Sequence, residues 1–203
     1  MLGFKGGTAA LLFYELDRFS VDLDFDLLDN SKEDFVFKRL EKILPEFGTL
    51  REKYKKFHTL FFLISYADEA HNIKVEISRR QSGVRYELQN YLGISMLVQA
   101  QEDMFANKLI AMVERKKPAS RDIYDLWFFL KRHAVMNKAI VEKRGGMPFR
   151  EYLQKAVDYL ERYDATYILQ GLGELLNAKQ KGWVKTHLKK EAIFLLKNYM
   201  LVL

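Results

Sequence analysis

The chain has 203 residues, 49% hydrophobic and 30% charged, with a formal net charge of +6 and three prolines, the composition of a globular protein with one good core or two small ones. It has no cysteine, which excludes disulfides, thiolate catalysis and cysteine-ligated zinc. No apolar run approaches a membrane span and no signal peptide is legible at the start, so the expectation is a cytoplasmic protein without a membrane partner.

The first element in the chain is a glycine turn. Gly6, Gly7 and Thr8 precede the run from Ala9 to Tyr14, which reads as a helix. Glycine lets backbone approach a ligand closely, and a helix N-terminus offers free N–H groups to anions. Thr8 adds a hydroxyl; a turn with an N-cap is the plainer alternative.

The next element is a strand. Val21, Leu23 and Phe25 alternate with Asp22, Asp24 and Asp26. Successive strand side chains point to opposite faces, so the apolar set can enter a core while the acids share the other face. Neighbours on that face stand about 6.5–7 Å apart, twice the strand rise. Two such carboxylates can converge on one Mg²⁺, which takes oxygen ligands and completes its shell with water and phosphates. Asp22 and Asp24 suffice for this, and Asp26 is expected to be solvated at the strand end.

Ser31 reads as the N-cap of a helix whose apolar positions are Phe35, Leu40, Ile43 and Leu44, ending at Pro45 to Gly48. Residues 59–66 are strongly β-prone, 67–71 read as a turn, and 72–78 as a strand with Ile73, Val75 and Ile77 inward. Lys74 and Glu76 then lie on the opposite face; Glu76 is either a third carboxylate of a site or a cross-strand partner for a lysine. A short strand is expected at 94–98, and helices at 101–116, 120–133, 148–162, 164–178 and 183–202.

Lys108 sits among apolar neighbours in the first of these helices, as a snorkelling side chain or as a charge for a ligand. Arg115 shares its helix face. Ser120 reads as the next N-cap, followed by Arg121, Asp122 and Asp125. Asp122 and Asp125 share a face, Asp122 is placed to offset the helix dipole, and Arg121 and Asp125 stand at i,i+4. Trp127, Phe128 and Phe129 cannot all face one way, so this helix is expected to be buried on more than one side. The histidines (His58, His71, His133 and His187) show no metal-like spacing.

Charge is uneven along the chain. Residues 1–30 carry two basic and six acidic side chains, whereas residues 131–203 carry fourteen basic and seven acidic ones. The acidic front suits a metal. The basic rear suits a polyanion such as nucleic acid, or is a solvated helix surface.

Taken together, Gly6 and Gly7, Asp22 and Asp24 led in by Arg18-Phe19-Ser20, the lysine helix, and Arg121-Asp122-Ile123-Tyr124-Asp125-Leu126 resemble the nucleotidyltransferase toxins of the AbiEii/AbiGii type, within the DNA polymerase β-like nucleotidyltransferase superfamily. The resemblance covers residues 4–130. It implies an α+β fold: a small mixed β-sheet core with flanking helices over 1–95, then an all-helical region over 96–203 that completes the active site and binds the acceptor. It implies catalytic roles for Asp22, Asp24, Glu76, Lys108 and Asp122, nucleotide binding by Gly6, Gly7, Thr8 and Lys108, and metal held by Asp22, Asp24 and Glu76. The expected cofactor is Mg²⁺ in a two-metal site, with Mn²⁺ as the alternative ion.

The reaction so implied transfers a nucleoside monophosphate from an NTP to an acceptor, expected to be RNA at the tRNA 3′ end. The setting is a toxin–antitoxin or phage-defence system with a cognate antitoxin. Family members usually carry a helical segment ahead of the glycine motif, which here begins almost at Met1. The alternative is therefore a truncated, non-catalytic member that binds nucleotide or nucleic acid. A third reading is a helical interaction protein whose working part is residues 100–203.

Overall fold

The computed structural model describes residues 1–66, 72–80, 83–115, 117 and 119–203. The chain forms two compact units, Met1–Ala100 and Gln101–Leu203. The expected turn at 67–71 lies outside the described residues.

The first unit is built on a seven-stranded mixed sheet with strand order β3-β4-β5-β2-β1-β7-β6. Its elements in chain order are β1 (Leu2–Lys5), α1 (Gly6–Tyr14), β2 (Leu23–Leu27), α2 (Glu33–Ile43), β3 (Thr49–Lys56), β4 (Thr59–Ser65), β5 (Ile73–Ser78), β6 (Tyr86–Tyr91) and β7 (Ile94–Gln99). The centre of the sheet sets the geometry that matters: β2 runs antiparallel to β1 and parallel to β5. The predicted alternation holds there. Val75 and Ile77 are buried in a cluster with Leu27, Val36, Leu44, Leu60, Phe62 and Ile64, against which Leu23 and Phe25 pack. Each such side chain contributes about 1.5–3 kcal/mol of burial. The acids of β2 and β5 occupy the other face.

Several local expectations are corrected. Asp29, not Ser31, caps the chain entering α2: its carboxylate accepts from Ser31 N, and a short 3₁₀ turn at Asn30–Lys32 precedes the helix. Val36 is the buried residue of α2, while Phe35 is 57% exposed. β3 and β6 were not legible as strands. Both are sheet edges, where polar and charged side chains guard unpaired backbone against association. The sheet continues through Gln99 and the compact units divide at 100/101.

The second unit is helical: α3 (Gln101–Glu114), α4 (Ser120–Lys131), α5 (Lys138–Gly145), α6 (Phe149–Arg162), α7 (Ala178–Trp183) and α8 (Lys189–Leu201). α4 is its core. Every residue from Asp122 to Leu130 is buried, as the all-round aromatic pattern of Trp127, Phe128 and Phe129 predicted. Phe105 of α3 stacks on Phe129 at 5.3 Å, and α4 and α6 both pack against α8.

The expected helix at 164–178 is two short 3₁₀ turns, Ala165–Tyr167 and Gly173–Leu175, separated by Gly171 in a left-handed conformation at φ 65°. Residues 183–202 are not one regular helix either, because a π turn at Val184–Leu188 lies between α7 and α8. Among the described residues no helix is long and apolar enough to cross a membrane.

Candidate active site

The glycine turn joins β1 directly to α1, with no side chain capping the helix. The first N–H groups of a helix have no intrahelical acceptor, so this end is open to an anion. Gly6 has φ 81°, and a Cβ placed there would lie 2.3 Å from Asp24 Oδ2. A Cβ on Gly7 would lie 2.7 Å from Ser20 Oγ and 3.1 Å from Arg18 Nη2. Gly6 is therefore required by close approach and by turn shape, and Gly7 by its close approach to Ser20 and Arg18.

Arg18 and Ser20 read in sequence only as a lead-in to the strand. The structure sets both against Gly7. The Arg18 side chain is buried, and its Nη1 donates to the Phe19 carbonyl at 2.9 Å. The sequence signal was the short interval between helix and strand, which leaves little room for Arg18 to point elsewhere. Thr8 also has a structural contact. Its hydroxyl donates to the Asp22 carbonyl and lies 3.0 Å from Ser20 Oγ. The hydroxyl thus ties the helix start to the strand, and what remains for a ligand is the Thr8 backbone.

The carboxylates converge through strand register. In the parallel pair of β2 and β5, Leu23 faces Val75 and Asp24 faces Glu76. Adjacent strands lie about 4.8 Å apart, so Asp24 and Glu76 are lateral neighbours on the acidic face. Asp22, just before β2, lies 3.7 Å from Lys74 Nζ, a partly exposed pair of small worth. Burial, then the negative charge of Asp24, raises the Glu76 pKa; Asp22 adds to the rise, while Lys74 and Lys56 oppose it.

Asp26 is on the same face but is not solvated as expected. It is 3% exposed, paired with Lys5 Nζ, and accepts a hydrogen bond from the Tyr86 hydroxyl at 2.5 Å. These two partners hold it inside the sheet.

The remaining predicted residues belong to the helical unit. Lys108 Nζ pairs with Asp125 Oδ2 at 2.6 Å, with side-chain exposures of 14% and 0%. Arg115 Nε lies 2.9 Å from Asp122 Oδ2, an electrostatic contact that lacks the alignment of a hydrogen bond. The two acids of α4 thus take separate cations, Lys108 of α3 and Arg115, the residue that follows α3. Ser120 is not the N-cap of α4: Ala119 takes that position, and the Ser120 hydroxyl, buried, contacts the Tyr163 hydroxyl at 2.8 Å.

Asp22, Asp24 and Glu76 supply hard oxygen donors of the kind Mg²⁺ or Mn²⁺ takes. Among the described residues no three His, Cys, Asp or Glu side chains stand close enough together to hold a metal ion as a group. An open set fits Mg²⁺, which usually keeps waters and substrate phosphates beside one or two carboxylates. Burial is the main cause of the raised Glu76 pKa, and the neighbouring charges of Asp24 and Asp22 add to it. A cation between them relieves that repulsion.

A family model described as nucleotidyl transferase AbiEii toxin, type IV TA system, matches residues 2–183. No curated protein matches the chain. Among solved structures, the chain is similar to a Helicobacter pylori protein proposed to be a nucleotidyltransferase, with TM-score 0.60 at 21% identity over 100% of this chain and 89% of that one. It is similar to JHP933 from Helicobacter pylori, with TM-score 0.56 at 20% identity over 97% and 84%. A third likeness is to an antigenic nucleotidyltransferase-like protein from Paracoccidioides brasiliensis, with TM-score 0.54 at 18% identity over 84% of each chain. These structural likenesses are of fold. The family match spans both the carboxylate-bearing sheet and most of the helical unit, and by it the chain belongs to the AbiEii nucleotidyl transferase toxin family of type IV toxin–antitoxin systems.

Proposed function

We propose that this chain transfers a nucleoside monophosphate from an NTP to an RNA acceptor, with the tRNA 3′ end as the favoured target, as the toxin of its pair. The observation that carries this reading is the register of Asp24 against Glu76 with Gly6 closed over the Asp24 carboxylate. That register supports a site in which the open start of α1 meets carboxylates of neighbouring strands.

In this reading the backbone of Gly6, Gly7 and Thr8 receives the phosphates at the start of α1. Asp22, Asp24 and Glu76 would hold divalent metal, which when bound neutralises phosphate charge and favours in-line attack on the α-phosphorus. Glu76 accepts the proton of the attacking hydroxyl. The bond from that hydroxyl oxygen to phosphorus forms as the bond to pyrophosphate breaks. Lys108 offsets charge on the leaving pyrophosphate. Asp125 orients Lys108, and Asp122 acts through Arg115. A cognate antitoxin follows from the family, and the cytoplasm, which holds NTP and RNA together, is the proposed location.

The test is incubation of the purified protein with each α-³²P-labelled NTP, Mg²⁺ and total tRNA. Label entering RNA supports the reading and identifies the nucleotide. Label entering protein moves the acceptor to another class. No transfer under Mg²⁺ or Mn²⁺ favours a binding protein that has lost catalysis.

A further inference from the structure

We infer that the helical unit carries its own site for an unpaired nucleotide of a single-stranded RNA, in a cavity of about 800 Å³ at the start of α4. The inference rests on the proposed RNA acceptor, but its test does not depend on transfer. The volume lies within the range of roughly 300–1,000 Å³ that encloses one small organic ligand.

Three tyrosines and three cations line the cavity: Tyr159, Tyr163 and Tyr167, with Lys117, Arg121 and Arg162. Tyr159 and Tyr163 stand 6.3 Å apart with their rings inclined at 42°, and Tyr167 is 59% exposed. Among the described residues no ion pair joins a carboxylate to any of the three cations. Two carboxylates also line the wall, Asp164 and Glu174. Asp164 is already engaged, its Oδ1 accepting from both the backbone and the hydroxyl of Thr166. Arg162 Nε donates to the Asp158 carbonyl at 3.1 Å; its other guanidinium nitrogens, with Lys117 and Arg121, can meet an outside anion in a wall that also holds Glu174.

The wall is fixed before any ligand arrives. The Ser120 hydroxyl contacts the Tyr163 hydroxyl and, at 3.1 Å, the Tyr167 carbonyl, binding the start of α4 to the chain after α6. Lys189 Nζ donates to the carbonyls of Glu161 and Tyr163 at 2.9 and 2.8 Å, closing the end of α6. Fixed aromatic faces beside guanidinium groups match the two recurring features of a nucleotide: a flat base to stack and a phosphate to bind. A base already paired and stacked in a duplex cannot enter a cavity, so the geometry selects unpaired strands.

The experiment is fluorescence anisotropy with a labelled mixed-sequence RNA of about eight nucleotides, a length suited to one such site, and with its duplex. It is done without NTP or divalent metal, on the full chain carrying Asp22→Asn/Asp24→Asn. The single strand should bind more tightly than the duplex. Arg121→Gln/Arg162→Gln should weaken binding roughly tenfold and lower the slope of log affinity against log salt by about 1.4. Tyr167→Ala, at an exposed position, should weaken binding about fivefold or more. Thermal melting of each variant shows that the fold is kept. Equal affinity for duplex, unchanged affinity in these variants, or no RNA binding overturns the inference. NTP affinity of the same variants is measured separately, and a loss as large as the loss of RNA affinity also overturns the inference, because the cavity would then serve the donor nucleotide.

Discussion

Gly6 lies so close to Asp24 that a single added carbon would collide with the carboxylate: the Cβ position is 2.3 Å from Asp24 Oδ2 and 2.8 Å from Asp24 Cβ. The glycine turn and the acidic strand are therefore one structure. Gly6→Ala should strain the backbone at φ 81°, at a cost of about 1–3 kcal/mol, and displace Asp24. A displacement near 1 Å can cost about a hundredfold in rate. Transfer assays with denaturant titration should show a rate loss much larger than the stability loss implies.

Glu76→Gln should abolish most transfer yet stabilise the fold. The folded-state pKa of Glu76 is raised from its ordinary 4.5 by burial and by Asp24. A carboxyl that holds its proton more tightly when folded opposes folding once ionised. That penalty is full above the folded pKa and vanishes below 4.5, where folded and unfolded chains are both protonated. The variant should melt higher than wild type at pH 7.5, each kcal/mol being worth roughly 2–4 °C. The difference should close as pH falls through the folded pKa. Added Mg²⁺ should raise the wild-type melting temperature more than that of the variant.

Lys108 and Asp125 form a pair with little access to water. Lys108→Met should cost about 3–5 kcal/mol, because it removes the cation paired with a buried carboxylate. Lys108→Met/Asp125→Leu should recover much of that stability but no transfer. Recovery of transfer in the double variant would assign Lys108 to structure alone.

Asp26 separates structure from chemistry on the acidic face. Asp26→Ala removes the contacts to Lys5 and Tyr86 and should cost about 2–3 kcal/mol in urea unfolding. Transfer per folded molecule should stay within a few-fold of wild type, in contrast to substitutions at Asp22 or Asp24.

Period-two alternation made the centre of the sheet legible: Leu23 and Phe25 against Asp22 and Asp24, Val75 and Ile77 against Glu76. Once both strands were recognised, only their parallel register remained hidden, and that register brings Asp24 beside Glu76. Long helical periodicity likewise revealed α3, α4 and α6. The edge strands β3 and β6 were hidden because Arg51, Glu52, Lys53, Lys55 and Lys56, or Glu87, Gln89 and Asn90, serve solvent and not a core. Pairings distant in sequence were also hidden. Tyr86 reaches Asp26 across 60 positions, and Lys108 finds Asp125 on the next helix. No local pattern encodes such contacts, which follow from the packing of whole elements.

The central claim is that Asp22 and Asp24 support transfer of a nucleoside monophosphate to RNA. The most direct measurement compares wild type with Asp22→Asn and Asp24→Asn for label moved from α-³²P-labelled NTP into total tRNA, with folding verified by melting. Wild type should show Mg²⁺-dependent labelling and each variant a loss on the order of a thousandfold or more, as expected when groups central to charge stabilisation are removed. Labelling by the folded variants at the wild-type rate would contradict the claim, as would no transfer by wild type from any NTP.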